Sequence, residues 1–144
     1  MARLPAPLGG ALVLDAQGLT KLAAGDPLTR YRFEAAKRRR GNVVTAASTL
    51  PEVLRGGPKD ALLYRVLNRI TVVKIEKDQG RSAGELLGRT GLTGHRCALD
   101  ALLAVVAMAQ PGPVVLLTSD PNDMAMLTEE PERPQAERIA IIRI

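Results

Sequence analysis

The sequence predicts an α/β protein, a three-layer α/β/α sandwich around a mainly parallel sheet of four to five strands. Three observations carry this expectation. Short apolar runs, rich in Val, Ile and Leu, recur at residues 11–14, 42–45, 71–75, 114–117 and 139–144. Stretches with helical apolar spacing separate the runs, and such alternation favours parallel strands covered on both faces. Gly and Pro mark the joins, at Gly25 and Pro27, at Gly56, Gly57 and Pro58, and at Pro111, Gly112 and Pro113.

The elements follow in order. Residues 1–10, with a single Arg and two prolines, read as a loose leader to a single domain over 1–144. The run at 11–14 is a buried strand that ends in Asp15, and a helix over 17–24 follows at once. Asp26 and Pro27 suit the cap and first turn of a second helix, from Leu28 to about Arg39, with Gly41 as its terminator. A second strand covers 42–45. Ser48 or Thr49 can then cap a short helix holding Pro51, Glu52 and Leu54. Residues 59–68 place Leu62, Leu63, Val66 and Leu67 on one helical side. The β-branched run 71–75 is a third strand, and helices are expected over 78–90 and 97–110. The strand at 114–117 leads to a short helix opened by Asp120 and Pro121. A polar connection over 129–138 precedes the last strand.

Composition narrows the class. With no Trp and one Phe, the core must be aliphatic. One cysteine excludes an internal disulfide and suits a reducing cytoplasm; Cys97 sits among apolar residues and reads as a packed thiol. No apolar run is long enough to cross a bilayer, and the first ten residues lack the order of a signal peptide. The net charge of +5 favours an acidic partner, nucleic acid first among them.

Function is read from acids that stand where apolar residues belong. Asp100 lies in a helix that is apolar on almost every side, where a carboxylate is costly unless a cation or donors satisfy it. Its structural alternative is a salt bridge with Arg96 or Arg89. Asp15 and Asp120 follow the ends of two strands, where ligands bind open α/β sheets. Either can instead cap the helix that follows it. Glu52 can act as a favourable charge near a helix N-terminus, and Asp123 as a surface acid. If Asp15, Glu52, Asp100 and Asp120 converge in one crevice, their repulsion calls for a cation. Oxygen-only ligands suit Mg²⁺ or Mn²⁺; one Cys and one His cannot build a zinc cage.

Four segments place these acids in order: Leu12-Val-Leu-Asp15-Ala-Gln-Gly-Leu19, Thr49-Leu-Pro-Glu52-Val-Leu-Arg55, Leu99-Asp100-Ala-Leu-Leu-Ala104 and Val115-Leu-Leu-Thr118-Ser-Asp120-Pro-Asn-Asp123. On these segments the chain resembles the PIN-domain ribonucleases, and among them the VapC-type toxins of prokaryotic toxin–antitoxin pairs, from about Ala11 to the last strand. The resemblance implies that Asp15, Glu52, Asp100 and Asp120 fill the acidic positions around one or two Mg²⁺ or Mn²⁺ ions, with Asp123 as a further candidate. It implies hydrolysis of RNA, a small antitoxin partner that inserts a basic side chain among the acids, and a homodimer. Thr118 matches a hydroxyl position near the metal; its structural role is to cap the turn before Asp120. Ala16 departs from the Ser or Thr common after the first acid.

Lys37, Arg38, Arg39 and Arg40 form the densest positive run, read as an RNA phosphate patch or as a solvated helix end. Tyr31, Phe33 and Tyr64 are the only aromatics, so recognition should lean on phosphates and RNA shape. Two other functions remain open. A PIN-like module could bind RNA or protein without cutting. A doubly wound phosphotransfer enzyme could use Asp15 as nucleophile, although no Gly-rich phosphate loop is present.

Overall fold

The structure, a computed structural model, describes residues 9–144. Most of the expected leader therefore lies outside the described residues. Its last two residues are held: Gly9 N–H donates to the Arg39 carbonyl at 3.0 Å, and the Gly10 carbonyl accepts from Asn42 N–H at 2.9 Å.

Five strands form one sheet in the order β3-β2-β1-β4-β5: β1 (Ala11–Leu14), β2 (Asn42–Ala46), β3 (Thr71–Val73), β4 (Val114–Thr118) and β5 (Ala140–Arg143). Every neighbouring pair is parallel, so the sheet is wholly rather than mainly parallel. The helices are α1 (Ala16–Ala23), α2 (Pro27–Arg38), α3 (Leu50–Val53), α4 (Ala61–Leu67), α5 (Lys77–Thr90), α6 (Gly94–Met108) and α7 (Pro121–Leu127).

Strand periodicity divides the aliphatic core into two layers. Ala11, Val13, Val44, Ala46, Val114 and Leu116 face α5, α6 and α7, where Ala83, Leu86, Ala101, Ala104, Met124 and Leu127 meet them. Leu12, Leu14, Val43 and Leu117 point the other way and pack on Leu19 and Leu22 of α1 and Phe33 of α2. Both faces are thus covered, as a parallel sheet requires.

Several local expectations shift for identifiable reasons. Asp26 caps α2 through Thr29 N–H at 3.0 Å and Thr29 Oγ1 at 2.8 Å, with Pro27 in the first turn. The other end of α2 differs from the reading of Gly41 as the left-handed terminator. Arg40 takes that conformation, at φ 57°, while Arg40 N–H reaches the Lys37 carbonyl and Gly41 N–H the Ala36 carbonyl. Gly41 is needed for closeness instead: a Cβ there would stand 2.6 Å from the Gly9 carbonyl oxygen. Neither Ser48 nor Thr49 caps α3 with its side chain; a single 3₁₀ turn, Ala47–Thr49, leads into it. β3 stops at Val73 because the chain leaves the sheet for a reciprocal cap on α5, in which Glu76 and Gln79 exchange side-chain and backbone hydrogen bonds. α6 begins at Gly94, three residues before the expected start. Among the described residues no single helix is long and apolar enough to cross a membrane.

Candidate active site

The strand order turns at β1, since β2 leaves on one side and β4 was placed on the other by a long crossover. Crevices form outside the carboxyl ends of strands at such a point. Asp15 follows β1 and Asp120 follows β4 by one further residue, so the topology delivers both to this crevice. Glu52 enters from α3 and Asp100 from α6. Together with Thr49, Leu99, Leu103 and Ser119 these four acids line one cavity of about 220 Å³. A larger hollow of about 470 Å³ lies between α5 and α6, but it is walled by Leu86, Val105, Met108 and Ala109 and holds Glu85 and Arg89 together.

Asp15 is the most firmly held. It is buried, and its Oδ1 accepts from Gly18 N–H at 2.8 Å, so the helix-cap role is real. Its Oδ2 accepts from Ser119 N–H at 2.9 Å, with the Ser119 hydroxyl at 3.5 Å, which ties β1 to the turn after β4. Thr45 Oγ1 donates to the Leu14 carbonyl at 2.8 Å and fixes the strand just ahead of this acid. A carboxylate has about four lone-pair sites, so the cap leaves room for a further ligand.

Asp100 has no such partners. Neither of the arginines offered as its structural alternative pairs with it: Arg96 reaches Asp123 Oδ2 at 3.4 Å, and Arg89 donates to the Leu127 carbonyl at 3.2 Å. Burial, and then the charges of Asp120, Glu52, Asp15 and Asp123, push its carboxyl up from 3.8 to about 6. Glu52, exposed at the cavity edge, is also raised, first by desolvation and then by Asp15 and Asp120. The four carboxylates therefore feel one another.

Asp120 is exposed and its side chain makes no cap bond to α7, which removes the helix-capping alternative for it. Thr118 is fully buried; its hydroxyl accepts from Asp120 N–H at 3.0 Å and so shapes the turn, without lining the cavity. Asp123 is engaged by Arg96 and lies 3.8 Å from the Cys97 sulfur, outside the cavity wall. Burial pushes the Cys97 thiol up, consistent with a packed rather than reactive cysteine. Only oxygen donors face the cavity. Among the described residues no three Asp, Glu, His or Cys side chains are already gathered closely enough to enclose one metal ion.

Lys37, Arg38, Arg39 and Arg40 are not brought to this crevice. They close α2 just before β2 begins, which puts them at the opposite end of the parallel sheet. Lys37 is further diverted: its Nζ donates to the Arg69 carbonyl at 2.6 Å and lies 5.6 Å from the Phe33 ring centre. Sequence reading missed Ser119, Thr45 and Gly18. The segment holding Ser119 was legible, but nothing local shows that its amide serves an acid 104 residues away.

No family model and no curated protein matches the chain. Solved structures do. The crystal structure of VapBC2 from Rickettsia felis, bound to a DNA fragment from their promoter, is similar over 93% of this chain and 98% of that one, with TM-score 0.63 and 14% identity. A toxin–antitoxin complex from Klebsiella pneumoniae is similar over 79% of this chain and 90% of that one, with TM-score 0.60 and 20% identity. At these identities the likeness is one of fold: the chain has the three-layer α/β fold found in these toxin–antitoxin structures, the fold that its resemblance to VapC-type PIN domains implies.

Proposed function

We propose that the chain is a metal-dependent endoribonuclease that hydrolyses RNA phosphodiester bonds at the acidic cavity, and that it is the toxin of a toxin–antitoxin pair. The observation that supports this most is Asp100, a carboxylate without a cationic partner in an otherwise apolar helix, lining one cavity with Asp15, Glu52 and Asp120. Such an arrangement is costly to the fold and is explained by a positive ligand. The donors suit Mg²⁺ or Mn²⁺, because all are oxygens; the absence of three gathered side chains suits an ion that keeps several waters.

Asp15 and Asp100 would hold the ion, with Glu52 and Asp120 at the rim. Bound there, the ion supplies charge compensation and a water acidic enough to attack phosphorus. The chain's own part is positional. Ser119 and Gly18 hold the Asp15 carboxylate still, and Thr45 fixes the strand end that carries it. The fold's occurrence in toxin–antitoxin structures supports an antitoxin partner, and the free thiol at Cys97 suits a cytoplasmic setting.

Cleavage of a labelled RNA should require Mg²⁺ or Mn²⁺ and should collapse in Asp15→Asn and Asp100→Asn. Cleavage that persists in chelator, or in both variants, ends the proposal. One observation favours a second reading, a non-catalytic PIN-like binding module: both Asp15 oxygens already accept hydrogen bonds. That reading predicts tight RNA binding without turnover at any metal concentration.

A further inference from the structure

The opposite end of the sheet carries a second concentration of unanswered charge, of the other sign. Arg32, Ala36 and Arg39 lie at i, i+4 and i+7 on one face of α2, with Tyr31 beside them. With Pro113 and Val115 they line a pocket of about 170 Å³, room for roughly five waters at about 30 Å³ each. Ala35 and Ala36 keep its floor open between the two arginines.

No carboxylate lines this pocket. Arg32 Nε is buried and has no hydrogen-bond partner among the described residues, and neither Arg32 nor Arg39 enters an ion pair there. The eight residues outside the description contain no Asp or Glu that could supply one. Arg38, Arg39 and Arg40 are exposed next to the pocket, and Tyr31 is 65% exposed. A buried guanidinium N–H without an acceptor is costly, and a phosphate oxygen is the acceptor whose geometry it fits. Consecutive exposed arginines beside a free aromatic face fit a repeating phosphate backbone with a stackable base.

We propose that the Arg32–Arg39 pocket binds a phosphate of single-stranded RNA, with a neighbouring base stacked on Tyr31 and the following phosphates met by Arg38 and Arg40. The four-residue length of β1, at about 3.3 Å per residue, separates this site from the acidic cavity by at least roughly 13 Å. It is therefore a second contact, remote from any cut, and distinct from the crevice in residues and in charge.

The test is binding of a fluorescent 12-nucleotide single-stranded RNA to the full chain in chelator, so that the result does not depend on whether the crevice cuts. Arg32→Gln/Arg39→Gln should weaken binding at least roughly tenfold and lower the slope of log affinity against log salt by about 1.4, at about 0.7 per phosphate contact. Arg39→Gln changes an exposed side chain and keeps the test valid should the double variant misfold. Tyr31→Ala should weaken binding at least roughly fivefold. Arg81→Gln removes the same charge from an exposed site on α5 and should leave affinity within about twofold. Unchanged affinity and salt slope in folded Arg39→Gln overturns the proposal, as does an equal loss in Arg81→Gln, which would reduce the effect to net charge. Loss of binding to inorganic phosphate or to phosphatidylserine vesicles, with RNA affinity intact, also overturns it and assigns the pocket to another phosphate source.

Discussion

Arg96 on α6 reaches across to Asp123 on α7 at 3.4 Å, and by doing so it leaves Asp100, one helical turn further along α6, with no cation. The Asp100 carboxyl consequently rises from 3.8 to about 6. The folded chain then holds this proton more tightly than the unfolded chain, so the stability due to this group is fully present below about pH 4. It is lost as pH rises through about 6. Asp100→Asn should therefore stabilise the metal-free protein at about pH 7.5. A two-unit shift corresponds to about 3 kcal/mol, which partial solvation reduces to roughly 1–2 kcal/mol. Urea unfolding in chelator measures this: the gain should be present at about pH 7.5 and vanish near pH 4. A variant no more stable than the parent at about pH 7.5 would mean that Asp100 is already compensated.

Asp15 should behave with the opposite sign, although it lines the same cavity. Its Oδ1 accepts from Gly18 N–H and its Oδ2 from Ser119 N–H. In Asp15→Asn one oxygen becomes an NH₂ group that faces a donor, and a buried unsatisfied amide costs about 1–3 kcal/mol. The same unfolding experiment should show a loss of that size. Ser119→Ala should cost far less, because the hydroxyl stands at 3.5 Å and the amide that matters is in the backbone.

These two acids also show what the sequence could reveal. Asp100 was legible as a misfit because an apolar helix surrounds it, and Asp15 because an apolar strand precedes it. The strands were legible for the same reason: both faces are buried, so Leu12, Val13 and Leu14 are all apolar. The partners of Asp15 were not legible, since Ser119 and Thr45 act across the sheet through backbone groups that any residue type carries. The basic run was recognised but its place was not. A run that precedes a parallel strand lies at the amino end of the sheet, and acids that follow strands lie at the carboxyl end; this separation needs the strand directions, which β1, β2 and β4 share.

Asp120 and Asp123 are separated in the sequence by two residues and in the structure by role. Asp120 lines the cavity and makes no cap bond, whereas Asp123 pairs with Arg96 at the surface. In a Mn²⁺-dependent RNA cleavage assay, Asp120→Asn should slow the reaction by on the order of a hundredfold or more, about 2.7 kcal/mol of transition-state stabilisation. Asp123→Asn should leave the rate within about threefold and cost no more than about 1 kcal/mol of stability, the usual range for an exposed ion pair. Equal loss in both variants would place Asp123 among the functional acids.

The outer face of α5 gives a prediction about stability alone. Gly80, Gly84 and Gly88 recur every fourth residue, and a Cβ built on any of them meets nothing within 4 Å. Glycine in a helix interior costs up to about 1 kcal/mol relative to alanine, and no contact on this face offsets the cost. Each single Gly→Ala change should therefore raise stability by roughly 0.5–1 kcal/mol, and the triple change by about 2 kcal/mol, since four-residue spacing keeps the added methyls from crowding one another. Thermal unfolding at two protein concentrations checks this and tests the expected homodimer with it. If a second copy packs its backbone against the bare stripe, the added methyls will lower the melting temperature and make it depend on concentration; if the face is open to solvent, the gain will be the same at both.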